Sequence, residues 1–364
     1  MPQVLAALLY SETTKFHQQA RITLTRFVNP LRLCLVLLAL TTTALTAQTN
    51  KDDFASFNDF PLEQPLEYPP WFKKSFLDLQ DDMAEALAAN KKGLIVYFGQ
   101  KRCAYCKMLM EVNLKLPDVV SYTRQHFDVV PIDIWGIDEI TDLNGEQLSE
   151  RDFAVRENAN FTPALIFYDS EGNKALMLRG YYPPYKFRAA LEYVADGHYR
   201  KESFAAYLER GSASMTFDPG ELNEEAFFSP PPHNLDRSRI PGERVLVVFF
   251  EQGDCHACDV LHSQPLLDPA IERQFLNFDN VQLDIWSNQP LITPDGNRTS
   301  AREWARKLGI FYAPSLLFFD EQGREILRVD SVVHFYRLSN VLQYISSRAY
   351  LSEPNFMNWR HNNR

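Results

Sequence analysis

Leu94-Ile95-Val96-Tyr97-Phe98 leading to Cys103-Ala104-Tyr105-Cys106, and Leu246-Val247-Val248-Phe249-Phe250 leading to Cys255-His256-Ala257-Cys258, are the stretches on which the fold turns. Each is a run of β-branched and aromatic residues with the make-up of a buried strand, passing into two cysteines about one helical turn apart. The copies stay in register beyond the cysteines. Asp133-Ile134-Trp135 returns as Asp284-Ile285-Trp286, Pro163 as Pro314, and Asp169 with Gly172 as Asp320 with Gly323. The offset is 152 residues at the cysteines and 151 afterwards. A chance pair of Cys-x-x-Cys motifs would not carry a tryptophan, a proline and a turn glycine at matching distances, so the chain reads as an internal duplication. Its period is too long for a solenoid, and each copy is large enough to bury its own core.

The chain has 364 residues and a formal net charge of −10. No Lys/Arg-rich face interleaved with aromatics is visible, so no nucleic-acid partner is expected and the charge serves solubility. Residues 1–47 read differently from the rest: Arg21, Arg26 and Arg32 lead into an apolar run over 31–45, followed by Thr46-Ala47-Gln48. This resembles a bacterial secretory signal. A run of about 15 residues is short of the roughly 20 needed to span a membrane, and the small residues Ala44 and Ala47 offer cleavage points. Cleaved, or retained as an anchor, the segment places the rest of the chain in the periplasm or exterior. Cys34 lies inside it, which leaves the mature chain only the four cysteines of the two pairs. Four cysteines in an exported chain suggest a stapled scaffold only where the core is too small to hold the fold, and here it is not.

Residues 48–70 form an extended lead-in ending in Tyr68-Pro69-Pro70. Leu79, Met83, Ala86 and Leu87 recur at helical spacing over 75–90, with Gly93 as a stop. A strand over 94–98, a helix from the first cysteine pair, a second helix from Pro117-Asp118 and a strand over 129–134 follow. Asn144-Gly145 is a hairpin turn, a helix covers 149–158, and strands run over 164–168 and 174–179 around Gly172. A helix over 184–196 closes the unit. The second copy repeats these elements over 245–347, and residues 211–242, with Pro219-Gly220 and Pro230-Pro231-Pro232, are a linker.

Strand, helix, strand, then helix, antiparallel strand pair and helix, with Cys-x-x-Cys at a helix start and an X-Pro before the third strand, resembles the thioredoxin arrangement. The fold class is therefore α/β, two tandem thioredoxin-like domains, each a central mixed β-sheet flanked by helices, at residues 71–210 and 243–350, with a tail at 351–364. The longer spacing from Trp135 to Pro163 is similar to exported thioredoxin-like proteins associated with sulfur oxidation and disulfide reduction. The resemblance implies that Thr162-Pro163 and Ala313-Pro314 occupy the cis-proline position, where backbone beside the nucleophile pairs with substrate. Thr162, Pro163, Ala313 and Pro314 are thus candidate substrate-binding residues. Two departures stand out. The buried acid that the family carries six residues before the nucleophile is replaced by Tyr97 and Phe249, so protons must reach the resolving thiol through water or another group. The usual Trp-Cys-Gly-Pro-Cys surroundings are also absent, so neither redox potential nor direction follows from the family.

A thiolate at a helix N-terminus meets unsatisfied N–H groups and the positive end of the helix dipole, which lower its pKa from about 8.5. Cys103 and Cys255 are the expected nucleophiles, and Cys106 and Cys258 the resolving thiols. A two-unit drop raises the thiolate fraction at pH 7 roughly 25-fold, but lower nucleophilicity returns most of that, leaving a few-fold in rate. The same drop stabilises the reduced form by about 2.7 kcal/mol, or roughly 60 mV. Lys101, Arg102 and Lys107 flank the first pair and Glu251, Asp254 and Asp259 the second. Cys103 is accordingly expected to be the more acidic, with His256 partly compensating at Cys255 when protonated. Tyr105 and His256, between the cysteines, are candidate substrate contacts, Tyr105 being expected exposed. Trp135 and Trp286, closing buried strands, are read as core. His126, His198, His233, His262 and His334 share no ligand spacing.

The expected function is exported thiol–disulfide exchange at two sites, reducing or isomerising protein or small-molecule disulfides without a bound cofactor. By resemblance, a membrane thiol–disulfide carrier supplies the electrons. Two other classes use the same residues: a carrier or sensor binding Cu(I) or Zn(II) through the thiolates, and a non-catalytic scaffold or chaperone.

Overall fold

The computed structural model describes residues 57–212 and 220–363. The segment read as a secretory signal, with Cys34, the start of the lead-in and residues 213–219 lie outside them. Helix α1 (Leu79–Ala88) precedes β1 (Gly93–Gly99), α2 (Ala104–Glu111), α3 (Pro117–His126) and β2 (Phe127–Asp133). The hairpin β3 (Glu139–Thr141) and β4 (Gln147–Ser149) leads into α4 (Glu150–Arg156), β5 (Ala164–Asp169), β6 (Lys174–Arg179), α5 (Pro184–Ala195) and α6 (Phe204–Ser212). The sheet order is β2-β1-β5-β6, with β1 parallel to β2 and antiparallel to β5.

Every residue of β1 is buried, because helices cover both faces of this central strand. Leu94, Val96 and Phe98 pack with Leu79, Met83 and Phe153 of α1 and α4. Ile95 and Tyr97, pointing the other way, meet Leu109, Val119, Phe187 and Leu191 of α2, α3 and α5. α1 is shorter than its periodicity suggests: Asn90 turns left-handed at φ 59 after it, and Gly93, expected to stop the helix, belongs to β1.

The second half adds β7 (His233–Asn234), β8 (Leu246–Glu251), α7 (His256–Ser263), α8 (Pro269–Phe275) and β9 (Asp279–Asp284). β10 (Pro290–Ile292), β11 (Arg298–Ser300), α9 (Ala301–Lys307), β12 (Ser315–Phe319), β13 (Glu325–Val329), α10 (Phe335–Ser346) and α11 (Phe356–Asn362) complete it. Its main sheet runs β13-β12-β8-β9, and β7, within the stretch read as linker, joins β10 and β11 in a smaller sheet. The tail forms α11.

The described residues form one compact unit, and the halves share side chains. Phe161 of the first half sits in the second-half core, while Tyr312 and Val332 sit in the first-half core. From α11, Phe356 and Trp359 pack in the second-half core and Met357 in the first. Lys186 Nζ, on α5, donates to Phe311 O at 2.6 Å and lies 4.8 Å from the centre of the Tyr312 ring. Burial at this seam brings the Lys186 ammonium down to about 8. No helix of the described residues is long and apolar enough to cross a membrane.

Candidate active site

Cys103 and Cys255 each occupy the position just before a helix, α2 and α7, with extended backbone. The sulfur of each accepts a main-chain N–H of its helix: Cys106 N lies 2.9 Å from Cys103 Sγ, and Cys258 N lies 3.1 Å from Cys255 Sγ. Those amides have no partner within the helix, so the sulfur both caps the first turn and sits in its positive field. Each pair is closed as a disulfide, Cys103–Cys106 and Cys255–Cys258. Cys103 and Cys255 retain 4% and 8% exposure while Cys106 and Cys258 have none. An incoming disulfide therefore meets Cys103 or Cys255, which are the sulfurs expected to attack.

The Thr162-Pro163 and Ala313-Pro314 bonds are both cis. At the first site a hydrogen-bonded row runs along the loop: Trp135 Nε1 donates to Gln100 Oε1 at 2.8 Å, and Gln100 Nε2 to Thr162 Oγ1 at 2.9 Å. Thr162 Oγ1 in turn faces Cys103 Sγ at 3.2 Å. The second site keeps only the start of the row, Trp286 Nε1 to Gln252 Oε1 at 3.2 Å, because alanine replaces the threonine; Cys255 Sγ lies 3.5 Å from Ala313 O. Neither tryptophan is fully buried, although Trp135 packs against the edge of the first-half core. Trp135 is half-buried and lines the space beside Cys103, and Trp286 is 42% exposed, since each indole leaves its strand end to reach a glutamine. Gln100 and Gln252 are separated by the same 152 residues as the cysteines, which is the signal that could have singled them out.

Tyr105 is buried, with 5% exposure, against the expectation that it lies open. Its hydroxyl donates to Asp59 Oδ2 at 2.8 Å and accepts from His334 N at 2.9 Å, and its ring lies under the Arg337 guanidinium at 3.6 Å. Burial pushes its hydroxyl well above the ordinary phenol range. Asp59 also accepts from Tyr336 N and Arg337 N, both at 2.9 Å, and so caps α10, whose own flanking residue His334 makes no side-chain cap. Arg337 donates to Thr162 O at 2.9 Å. The lead-in and the second half thus complete the surroundings of the first cysteine pair. His256, by contrast, is exposed.

The charges around the pairs also depart from a purely flanking arrangement. Lys101 and Arg102 are exposed beside Cys103, and Lys107 leans toward Glu111 at 3.9 Å. Asp254 and Asp259 are exposed beside Cys255, but Glu251 is fully buried under α7. His262 Nε2 meets Glu251 Oε1 at 3.0 Å, His262 Nδ1 meets Glu225 Oε1 at 2.8 Å, and Gln282 Nε2 donates to Glu251 Oε2 at 2.8 Å. His262 follows Cys258 by four residues on α7, on the same helical face. At the offset of the duplication, Gly99 and Met110 stand where the second half has Glu251 and His262. There the Tyr97 ring fills the space, its Oη only 2.6 Å from where a Cβ on Gly99 would be.

Burial disfavours a charged ring at His262, but the hydrogen bonds and charges of Glu251 and Glu225 prevail and raise it above the usual imidazole range. A folded-state value above the unfolded one gives stability that is fully present below about pH 6.5 and is lost as pH rises through the folded value. The unfolding midpoint of the native chain is expected to fall more steeply above pH 6.5 than that of a His262→Gln variant. Parallel profiles measured in urea from pH 5.5 to 9 would show that the pairing contributes nothing.

A model of the thioredoxin-like domain matches residues 79–195 and 231–346. Among solved structures, a thioredoxin-fold protein from Helicobacter pylori is 23% identical, covering 35% of this chain and 88% of that one, with a TM-score of 0.31. The DsbH oxidoreductase is 12% identical over 36% of this chain and 91% of that one, TM-score 0.25. A disulphide isomerase from Xylella fastidiosa Temecula1 is 19% identical over 40% of this chain and 100% of that one, TM-score 0.24. No curated protein matches the chain.

Proposed function

The chain belongs to the thioredoxin-like domain family in both of its halves, and on that premise we propose that it is an exported thiol–disulfide oxidoreductase that reduces or isomerises disulfides at two sites. The observation that carries this reading is the placement of Cys103 and Cys255. Each ends a loop at the mouth of a helix, its sulfur against a helix amide, with the second cysteine wholly buried one turn behind. A thiolate so placed attacks a substrate disulfide, forms a mixed disulfide and expels one substrate thiolate. The buried cysteine then attacks the nucleophile's sulfur, expels the second thiolate and closes the Cys103–Cys106 or Cys255–Cys258 bond. Two electrons pass to the substrate, and the two protons of the dithiol end on the released thiols.

Thr162, Pro163, Ala313 and Pro314, all buried around the nucleophiles, are proposed to position substrate, with His256 contacting it at the second site. Return of the sites to the dithiol state outside the cytosol requires a donor, proposed from the family resemblance to be a membrane thiol–disulfide carrier. The reading is tested by giving the mature chain dithiothreitol and insulin, and by metal analysis of the reduced protein. Catalysed insulin precipitation without bound metal is the expected result. An inert protein retaining stoichiometric zinc or copper would instead support a metal carrier.

A further inference from the structure

The first cysteine pair opens into a cavity of about 700 Å3. Its walls come from three parts of the chain: the lead-in at Asp59, the first half at Trp135 and Thr162, and the second half at Tyr336 and Arg337. A space of this volume matches sites that enclose a small molecule, which span roughly 300–1,000 Å3.

Cations outnumber acids in its lining. Lys101, Arg102 and Arg337 all line the cavity, and among the described residues none has a carboxylate oxygen within 4.0 Å. Arg337 is the unusual member, since it is buried yet donates only to neutral acceptors: Ser331 Oγ, Val332 O and Thr162 O. The charges of Asp59 and Asp330 act on it from beyond ion-pair distance and burial still outweighs them, so a ligand carboxylate within hydrogen-bond reach would stabilise the guanidinium further. The two acids of the wall are already engaged. Asp59 accepts from the Tyr105 hydroxyl and two amides of α10, and Asp133 accepts from Trp135 N. Thr162 O, the main-chain acceptor next to Cys103, already accepts from Arg337, which brings the guanidinium beside the nucleophile. The second nucleophile has the opposite setting, with Asp254 and Asp259 exposed beside it.

We propose that the Cys103 site is specific for small disulfides carrying carboxylates, each arm no larger than a short peptide. This rests on the reading of Cys103 as a nucleophile. Cys103 Sγ bonds to one substrate sulfur, the substrate S–S bond breaks, and the departing thiolate takes up a proton. Cys106 Sγ then bonds to Cys103 Sγ, releasing the second carboxylate-bearing thiol. The dithiol loses two electrons and the substrate gains them. Lys101, Arg102 and Arg337 act as specificity residues through their field, leaving the sulfur chemistry unchanged.

The test uses the intact chain, reduced with dithiothreitol and freed of it, in a single turnover. Glutathione disulfide supplies an anionic probe, cystamine a cationic one and insulin a protein one. Quenching with an alkylating reagent and mass mapping of the two cysteine peptides gives initial oxidation rates at each site separately. The second site serves as the internal control for the probes' intrinsic reactivity. The glutathione disulfide to cystamine rate ratio is expected to be about tenfold or more higher at Cys103–Cys106 than at Cys255–Cys258, and to shrink about threefold or more in high salt. The same shrinkage is expected in a Lys101→Gln/Arg102→Gln chain, whose changes lie on the exposed side of the loop. Equal ratios at the two sites, or insulin oxidising the first site as fast as glutathione disulfide does, would overturn the assignment while leaving the oxidoreductase reading intact. If neither pair is oxidised by any probe, both fall together.

Discussion

A Cys103→Ser/Cys255→Ser chain is expected to lose insulin reduction entirely, falling at least about a hundredfold to the rate of the reductant alone. A serine hydroxyl is not ionised near neutral pH and forms no bond equivalent to the mixed disulfide, so the helix amide that meets each sulfur has no anion to stabilise. Each single variant should keep the activity of its other pair, Cys103→Ser that on insulin and Cys255→Ser chiefly that on small anionic disulfides, because each site has its own nucleophile, resolving thiol and helix. Cys106→Ser and Cys258→Ser are expected to behave differently. With the first step intact and the second removed, the protein should accumulate as a mixed disulfide, detected as added substrate mass on Cys103 or Cys255. Retention of full activity by the double serine chain would remove the chemistry assigned to both sites.

Replacing Gly93 by alanine should destabilise the chain by about 4 kcal/mol or more, among the largest effects a single substitution can have. Gly93 has φ +156 and pairs in register with Phe127 on one side and Asp169 on the other. A Cβ there would lie 2.0 Å from Tyr168 O, main chain of the neighbouring strand. Relief would require moving β1 against β5, and with it the strand that delivers Cys103. Gly197→Ala is the matched comparison: its φ is +74 but nothing lies within 4 Å of the added atom, so only the left-handed backbone cost of about 1 kcal/mol applies. Urea unfolding of the two variants separates contact from conformation. A Gly93→Ala chain no less stable than Gly197→Ala would refute the packing argument.

The strands and cysteine-bearing helices were legible because their signals are local. A β-branched run marks β1 and β8, and the cysteine spacing fixes which residues share the first helical turn. The surroundings of the first site were not legible, because they depend on residues far apart in the chain: Asp59 with Tyr105 and α10, and Arg337 with Thr162. No periodicity or motif reports such meetings. Tyr105 illustrates the difference, since its place between two cysteines suggests an open position while a segment from each end of the protein closes over it. Glu251 was visible as an acid ending an apolar run, but only the fold reveals that His262 comes to meet it. In α11 the pattern of Phe356, Met357 and Trp359 is an amphipathic signal within a stretch short enough to pass for a tail.

The exchanged aromatic residues bear on how such a chain can change over generations. Newly doubled copies are interchangeable modules, free to be recombined or discarded. Once Phe161 is planted in one neighbour and Tyr312 in the other, excision of either copy would leave an exposed greasy scar on the survivor. The doubling is thereby locked in, and the two cysteine pairs must be inherited, and diversify, as a couple.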